Sequence, residues 1–438
     1  MSITRTVRVV LVLLLTVFVL PPADNLGAQD ASPKADAFEV WVIDQSDTTP
    51  DGGGTLYIYP GPALTEGVGT PEVIDLGDAV ADRCFEQTAS YPSRPHMILF
   101  NESHSHAILS FVASGHVAFF DAATREPVAC IDAGEQAHAA YPSPDESYVV
   151  VANQNGKLLQ RISTEYGANE FVLDDAATVD LASCSTPSGV ACEDPEVRPD
   201  NAPICPIVDS TSIYTFVTLR GGGLLVFDST ATPMEIVAEY DAATIHPNGC
   251  GGLEAKGKMY IGSGGGSPAN PFESDLYAFQ LDEFSPEPGA PNTPAPTVVF
   301  SHDDREMTDS HGPTLAGDSE YLWVADRAAN LLTVVDTATD EVVTELDISG
   351  EWSSDPAPDL MDVSPDGQWV FISLRGSTPL TANSPEHHNA VGSTPGVAVV
   401  RVEDGGASGE VVRVLPISNM VDGAETADPH GLRVRRVE

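Results

Sequence analysis

The chain has 438 residues and a strongly acidic composition, with 65 aspartates and glutamates against 20 lysines and arginines. The formal net charge of −45 at pH 7 excludes nucleic acid and anionic membrane surfaces as partners, because both would repel the chain. At about 150 residues per domain the length suggests two or three domains, although one closed ring of repeated sheets also holds a chain of this size.

The chain begins with a predicted export signal. Arg5 and Arg8 precede an unbroken apolar run over 9–20, and small residues suited to cleavage follow at 26–28. The apolar run is too short to cross a membrane comfortably, and no other run approaches the required length. We therefore predict a signal peptide over 1–28, a flexible leader over 29–37, a secreted or periplasmic location and no stable membrane insertion.

From residue 38 onward, β-branched runs alternate with turns containing Gly, Pro, Asn and Asp, a pattern typical of strands. The clearest unit lies at 136–164, and similar units recur at intervals of roughly 40 to 65 residues, which indicates repeated blades. The predicted strands are 38–44, 55–59, 71–76; 95–101, 107–112, 117–121, 127–132; one starting at 138, 147–152, 157–162, 169–173; 205–209, 212–219, 223–228, 234–240; one near 250, 257–262, 275–281, 295–301; 311–316, 320–326, 331–336, 342–348; 359–364, 368–374, 396–402, 410–416; and 430–437.

The first repeat has three predicted strands, and the strand over 430–437 has no repeat of its own. Pairing these two groups closes the ring and removes exposed sheet edges, which are templates for aggregation. We predict an all-β fold in which 38–438 is one domain, a seven-bladed β-propeller of four-stranded antiparallel blades. The C-terminal strand joins the first blade as its innermost strand, and we expect a monomer.

Three segments resemble the YVTN-type propeller repeats: the Ser-Pro-Asp-Gly turn at 364–367, YVVVAN at 148–153 and VVDTAT at 334–339. The resemblance covers nearly the whole mature chain, is closest to uncharacterised exported members, and implies the propeller fold. The superfamily includes lactonases, metal enzymes, metal carriers and binding scaffolds, so the resemblance implies no single function. The His, Arg and acid pattern of its phosphogluconolactonase relatives has no residue-by-residue match here.

Histidines recur at one position of the predicted repeat, the start of the innermost strand. Five of the eleven histidines fall at or near it: His96, His138, His246, His311 and His430. Asp359 occupies the position in the seventh repeat. Imidazoles and a carboxylate that converge on the propeller axis would suit zinc, copper or manganese, so these six residues form a predicted metal site. The alternative is that each histidine only caps its blade through a backbone hydrogen bond.

Two further sets of residues belong to the same face. Asp309 and Asp428 lie next to predicted ligands, and we expect them to orient the imidazoles. Arg220, Arg327 and Arg375 follow the second strands of blades four, six and seven, where guanidinium groups would bind a small anionic ligand. Ion pairs between blades are the alternative for these arginines. The long loop over 376–395 is placed to cover the channel mouth.

The residues leave three functions open. The first is an exported protein that binds a transition metal, a small anionic ligand, or both, at the axial mouth. The second is a lactonase-like hydrolase that uses the same mouth, and the third is a scaffold for protein partners without chemistry. No Gly-x-Ser-x-Gly or His-Glu-x-x-His signature is present, so the sequence does not decide whether the protein is an enzyme.

Six cysteines in an exported chain predict disulfides. Cys184 and Cys192 close a short loop, and Cys205 and Cys250 fall at matching points of neighbouring repeats. Cys84 and Cys130 would form the third pair. Six cysteines permit fifteen pairings, and free thiols at 205 and 250 would instead add ligands to the metal site.

Overall fold

Val, Ile, Phe and Tyr runs separated by turn residues form short strands, as expected of side chains that suit a pleated, half-buried surface. The computed structural model describes residues 37–247, 249–264, 273–285, 293–303, 305 and 307–437. The predicted signal peptide, 1–28, and all but the last residue of the predicted leader, 29–37, lie outside these residues. The described strands form seven four-stranded antiparallel sheets, which are the blades of a β-propeller.

The first four blades contain the following strands. Blade 1 has β1 (Phe38–Asp44), β2 (Thr55–Pro60) and β3 (Glu72–Asp75). Blade 2 has β4 (Pro95–Phe100), β5 (His106–Phe111), β6 (His116–Asp121) and β7 (Pro127–Asp132). Blade 3 has β8 (Ala137–Pro142), β9 (Tyr148–Asn153), β10 (Leu158–Glu165) and β11 (Glu170–Asp180). Blade 4 has β12 (Pro203–Val208), β13 (Tyr214–Leu219), β14 (Leu224–Asp228) and β15 (Glu235–Tyr240).

The remaining blades follow the same plan. Blade 5 has β16 (Gly252–Ala255), β17 (Lys258–Gly262), β18 (Ser274–Gln280) and β19 (Thr297–His302). Blade 6 has β20 (Ser310–Ala316), β21 (Tyr321–Asp326), β22 (Leu331–Asp336) and β23 (Glu341–Asp347). Blade 7 has β24 (Pro358–Val363), β25 (Trp369–Leu374), β26 (Gly396–Glu403) and β27 (Ser408–Pro416). A small hairpin, β28 (Met420–Val421) and β29 (Ala424–Glu425), leads to β30 (Pro429–Arg436).

The C-terminal strand closes the ring as the sequence predicts. β30 pairs antiparallel with β1, so that Phe38 lies opposite Arg436 and Val42 lies opposite Leu432. The order of blade 1 is β3-β2-β1-β30, which places β30 at the innermost position. Leu432 and Val434 of β30 are buried, so closure adds apolar contacts as well as backbone hydrogen bonds.

Alternating side chains of each blade pack against its two neighbours. Leu322 of β21 belongs to a buried cluster with Tyr260 of blade 5. The next residue, Trp323, packs with Met361 of blade 7 and donates its indole hydrogen to the carbonyl oxygen of Gly406 over 2.7 Å. Period-two alternation therefore supplies both interfaces of the blade, as in sheet-on-sheet packing.

Two parts of the chain differ from the predicted elements. Three short helices, absent from the prediction, occur in blade 1: α1 (Gly61–Glu66), α2 (Leu76–Ala79) and α3 (Ala81–Thr88). The Asp75 carboxylate accepts from the Gly77 amide and so ends the strand predicted over 71–76. β11 extends seven residues beyond the predicted end at Leu173, because a register shift between Leu159 and Arg161 restores its pairing with β10.

All six cysteines form disulfides, in the three pairs considered from the sequence: Cys84–Cys130, Cys184–Cys192 and Cys205–Cys250. The first pair fastens α3 to the outer strand of blade 2. The third pair removes the alternative in which two thiols act as metal ligands. Three disulfides are typical of proteins in oxidising compartments. None of the described helices is long and apolar enough to cross a membrane.

Candidate functional site

β-Bulges lie at the starts of the innermost strands that carry the predicted ligands. The pairing of β4 with β5 skips His96, and the pairing of β8 with β9 skips His138. The pairing of β24 with β25 changes register over a segment that contains Asp359, and the pairing of β30 with β1 changes register over a segment that contains His430. A bulge bends a strand and changes the direction of the extra side chain, and such bulges are frequent beside active sites.

The bulged segments bring four of the five predicted histidines together. The Nε2 atoms of His96 and His138 are 3.2 Å apart, and the rings of His96 and His430 stack at a centroid distance of 3.9 Å. The ring of His311 lies edge-on to that of His430 at 5.6 Å. His96, His311 and His430 are buried, and His138 is partly buried.

Two His-Gly pairs contribute to this close approach. A side chain at position 431 would place its Cβ 2.7 Å from the carbonyl oxygen of His96. Gly312, after His311, has a φ of +42° and leaves room for the Asp359 backbone, whose carbonyl oxygen a Cβ would meet at 2.3 Å. Glycine is needed at both positions because the backbones of neighbouring blades touch there.

His430 has the hydrogen-bonding arrangement of a metal-binding imidazole. Its Nδ1–H donates to the carbonyl oxygen of His96 over 3.0 Å, which leaves the lone pair of the neutral ring on Nε2. That Nε2 atom is buried and has no hydrogen-bond partner among the described residues. It lies 3.7 Å from a carboxylate oxygen of Asp359.

Asp359 presents one free oxygen to the histidines. Its Oδ2 accepts from Arg375 over 2.7 Å and faces Arg327 at 3.4 Å. Its Oδ1 is buried without a hydrogen-bond partner in the described part of the chain and lies 3.5 Å from Nδ1 of His311. Ligand atoms of His311, Asp359 and His430 all lie within 4.8 Å of one another.

Burial sets the protonation of the site. Loss of hydration lowers the pKa of His430 to about 4 and that of His138 to about 3. It also lowers the pKa of His96 and His311 well below the usual value. Burial alone would raise the pKa of Asp359, but the neighbouring histidines and arginines outweigh this effect and hold it well below its ordinary range. The rings are therefore neutral and the carboxylate ionised at neutral pH, which is the state a cation requires.

Arg375 and Arg327 are held by carboxylates in the interior. Arg375 donates to both oxygens of Asp428, at 2.7 and 2.8 Å, and Arg327 donates to Asp309 over 2.9 Å. The expectation that Asp309 and Asp428 orient imidazoles is therefore not met: neither carboxylate bonds an imidazole among the described residues, and besides the arginines they accept from Asn389 and Gln45, respectively. An anion bound by Arg327 or Arg375 would have to compete with these carboxylates. The contacts match the alternative in which the arginines form ion pairs.

Two predicted site residues lie apart from the four rings. Arg220 is half-exposed and donates its Nε–H to Asp200 over 2.6 Å. His246 forms a separate group in blade 5, where its Nδ1 lies 2.7 Å from Asp275 and 3.1 Å from Glu273. The structure thus brings His96, His138, His311, His430 and Asp359 together and leaves these two outside the cluster.

The loop over 376–395 reaches the mouth, as expected. Asn389 donates to Asp309, and the carbonyl oxygen of Thr381 accepts from Arg375 over 3.0 Å. Together with the strand starts, the loop borders an open cavity of about 930 Å³ that is lined by His96, His138 and His311.

Sequence reasoning missed two residues of this mouth. Gln45 follows β1, and its amide oxygen lies 2.8 Å from Nδ1 of His96, so it orients that ring. Arg94, two residues before His96, lines the cavity. Arg94 precedes β4 and lies two residues before the register position that singled out the histidines, and no arginine recurs at that place in the other repeats.

The fold is shared by solved propellers. A hypothetical selenium-binding protein from Sulfolobus tokodaii matches with a TM-score of 0.61 and 10% identity, over 92% of this chain and 94% of that one. The periplasmic gluconolactonase of Pseudomonas aeruginosa matches with a TM-score of 0.57 and 13% identity, over 92% and 100%. A protein from Lactobacillus plantarum matches with a TM-score of 0.57 and 10% identity, over 91% and 99%.

At these identities the likeness shows the fold alone. No protein-family profile matches the chain, and no curated protein matches it at a significant level. The similarity to YVTN-type repeats therefore remains a resemblance.

Proposed function

We propose that the protein binds a transition-metal ion at the axial mouth of its propeller, through His430, His311 and Asp359. The observation that carries this proposal is the His430 ring, whose Nδ1–H is fixed by a backbone carbonyl while its buried Nε2, without a hydrogen-bond partner among the described residues, lies 3.7 Å from the Asp359 carboxylate. Ligating histidines almost always have their second nitrogen fixed in this way. His96 and His138 stand beside the set as further nitrogen donors.

The donor set limits the choice of metal. Two imidazoles and one carboxylate suit zinc, copper or manganese, whereas the cysteines are consumed in disulfides and provide no thiolate. Oxidised cysteines and the predicted export signal also support a location outside the cytoplasm, secreted or periplasmic.

A lactonase-like hydrolase is the second candidate, and the cavity of about 930 Å³ next to the rings supports it. A metal held there would supply a bound water of lowered pKa. The likeness to a periplasmic gluconolactonase agrees with this candidate but rests on fold alone.

The test is metal analysis of protein purified without a histidine tag. After dialysis against zinc, copper or manganese, the wild type should retain stoichiometric metal, and His430→Gln and Asp359→Asn should each lower its affinity by tenfold or more. His116→Gln is the matched control, since His116 is a buried histidine that bonds Thr88 and Ser90 away from the mouth.

A wild type without metal under all three conditions would disprove the proposal, as would a His430→Gln variant that binds like the wild type. A panel of lactones and esters on the metal-loaded protein then separates the hydrolase from a protein that only binds.

A further inference from the structure

Arg94 differs from the other arginines of the mouth because its Nε–H has no acceptor among the described residues. Arg327 is held by Asp309, and Arg220 is held by Asp200. The Nε atom of Arg94 is buried, and no described residue accepts a hydrogen bond from it. A buried guanidinium donor without an acceptor costs free energy, so its presence here indicates that an acceptor binds from outside the chain.

The charges around the cavity favour an anion as its ligand. Its lining includes three arginines and two aspartates: Arg94, Arg220, Arg327, Asp200 and Asp309. The arginines outnumber the carboxylates, and burial raises the pKa of Asp309 to about 7, so the lining carries a net positive charge at neutral pH. In a chain of net charge −45 this cavity is an exception. A bound carboxylate would balance this positive charge.

The backbone holds Arg94 in place for this role. Its φ is 57°, in the left-handed region that a residue other than glycine rarely adopts. The amide of Val112 donates to its carbonyl oxygen over 2.9 Å and thereby ties this strained residue to the next strand. Strained residues of this kind are concentrated at ligand sites, where the surrounding structure fixes their geometry.

We infer that Arg94 binds the carboxylate of a small organic acid in the cavity beside the histidines. The planar guanidinium fork matches a carboxylate in two parallel hydrogen bonds. Val112 and Ile204 provide apolar walls for the body of the acid, and the amides of Gln136 and Gln154 provide hydrogen bonds. This inference deepens the proposed function and rests on it in one respect, that the acid would bind beside the metal, because His311 lines the cavity and is also a proposed ligand.

Calorimetric titration with lactate tests the inference, and methyl lactate serves as the uncharged control ligand. Lactate should bind the wild type, methyl lactate should bind at least tenfold more weakly, and Arg94→Gln should weaken lactate binding by about tenfold to a hundredfold. Arg94→Lys, which keeps the charge but not the fork, should fall between them. Arg401→Gln is the matched control, because it removes an equal charge from an exposed pair with Glu403 and Glu410.

The titrations are run on metal-loaded and on metal-stripped protein, so that the two proposals can fail separately. If metal-stripped protein binds lactate and this binding depends on Arg94, the anion site is supported whether or not the protein binds a metal. Metal uptake that is normal in Arg94→Gln would show that the variant folds. The inference is overturned if lactate does not bind at millimolar concentrations, if lactate and its ester bind equally, if phosphate binds more tightly than lactate, or if Arg94→Gln matches the wild type.

Discussion

The Nδ1–H of His430 donates to the carbonyl oxygen of His96 over 3.0 Å, although 334 residues separate the two in sequence. One partner lies in the strand that closes the ring, and the other lies at the start of blade 2. The same hydrogen bond joins blade 1 to its neighbour and fixes which nitrogen of His430 is free to bind a cation. Closure of the propeller and assembly of the candidate site therefore share a contact.

Deletion of residues 428–438 should destabilise the whole propeller. The deletion removes β30, exposes the inner edge of β1 and loses the buried side chains of Leu432 and Val434. Thermal melting followed by circular dichroism should show a lower or broadened transition, and deletion of residues 437–438 alone is the control. A shortened chain that melts at the same temperature as the full chain would show that β30 does not close the ring.

Replacement of Arg375 by methionine should cost about 3 to 5 kcal/mol of unfolding free energy. The change leaves the carboxylates of Asp359 and Asp428 buried without their main counterion, and an uncompensated buried charge is strongly destabilising. Arg401→Gln, which breaks an exposed pair, should cost less than about 1 kcal/mol. Urea unfolding of both variants checks this difference, and equal losses would mean that the buried network contributes little.

The three disulfides should not contribute equally to stability. Cys84 and Cys130 are 46 residues apart, whereas Cys184 and Cys192 are 8 apart, and a cross-link constrains the unfolded chain more when the loop is longer. Double replacement of the first pair by serine should cost about 1.5 kcal/mol more than replacement of the second. Denaturant unfolding measures the difference, and peptide mapping without reduction verifies the pairs. A larger loss from the short loop would contradict the chain-entropy account.

Asp44 should make the protein less stable as pH rises from about 4 to 6. Burial raises the pKa of Asp44 to about 6, against the lowering effect of hydrogen bonds from Asp428 and Ser46. The folded state holds the proton more tightly than the unfolded state, so this group's contribution to the unfolding free energy is lost as pH rises through that window. The loss amounts to roughly 2 kcal/mol.

Asp44→Asn cannot ionise and should lack this part of the pH dependence. Urea unfolding at several pH values compares it with the wild type and with Asp51→Asn, which removes an exposed carboxylate nearby. Parallel curves for the wild type and Asp44→Asn would show that Asp44 has an ordinary pKa.

The propeller was predictable because its signals are local. Alternating apolar residues and turn dipeptides define strands such as β21 and β25, and the strand count implies closure by the segment after residue 428. The helices of blade 1 were missed because they are short, with 6, 4 and 8 residues, and too brief for a helical period to show in the sequence. α3 also depends on a disulfide from Cys84 to a distant strand, which no local pattern reveals.

The site was predictable only in part. Recurrence at one repeat position identified His96, His138, His311 and His430, and the structure brings them together. Recurrence does not give side-chain direction, which here depends on bulges in the innermost strands. For that reason the sequence placed Asp309 and Asp428 beside imidazoles, whereas their carboxylates bind guanidinium groups. Arg94 has no repeat equivalent, and the absence of a described acceptor for its Nε–H is visible only in three dimensions.

The dependence of the histidine cluster on β30 also fixes when the cluster forms during the life of the chain. His430 leaves the ribosome after blades 2 to 7 have been synthesised. A nascent chain therefore contains His96 long before it contains His430. The cluster can form only where the finished chain folds. Under the proposed metal binding, the ion acquired would then reflect the metals present in that compartment, because affinity alone selects poorly among divalent transition metals.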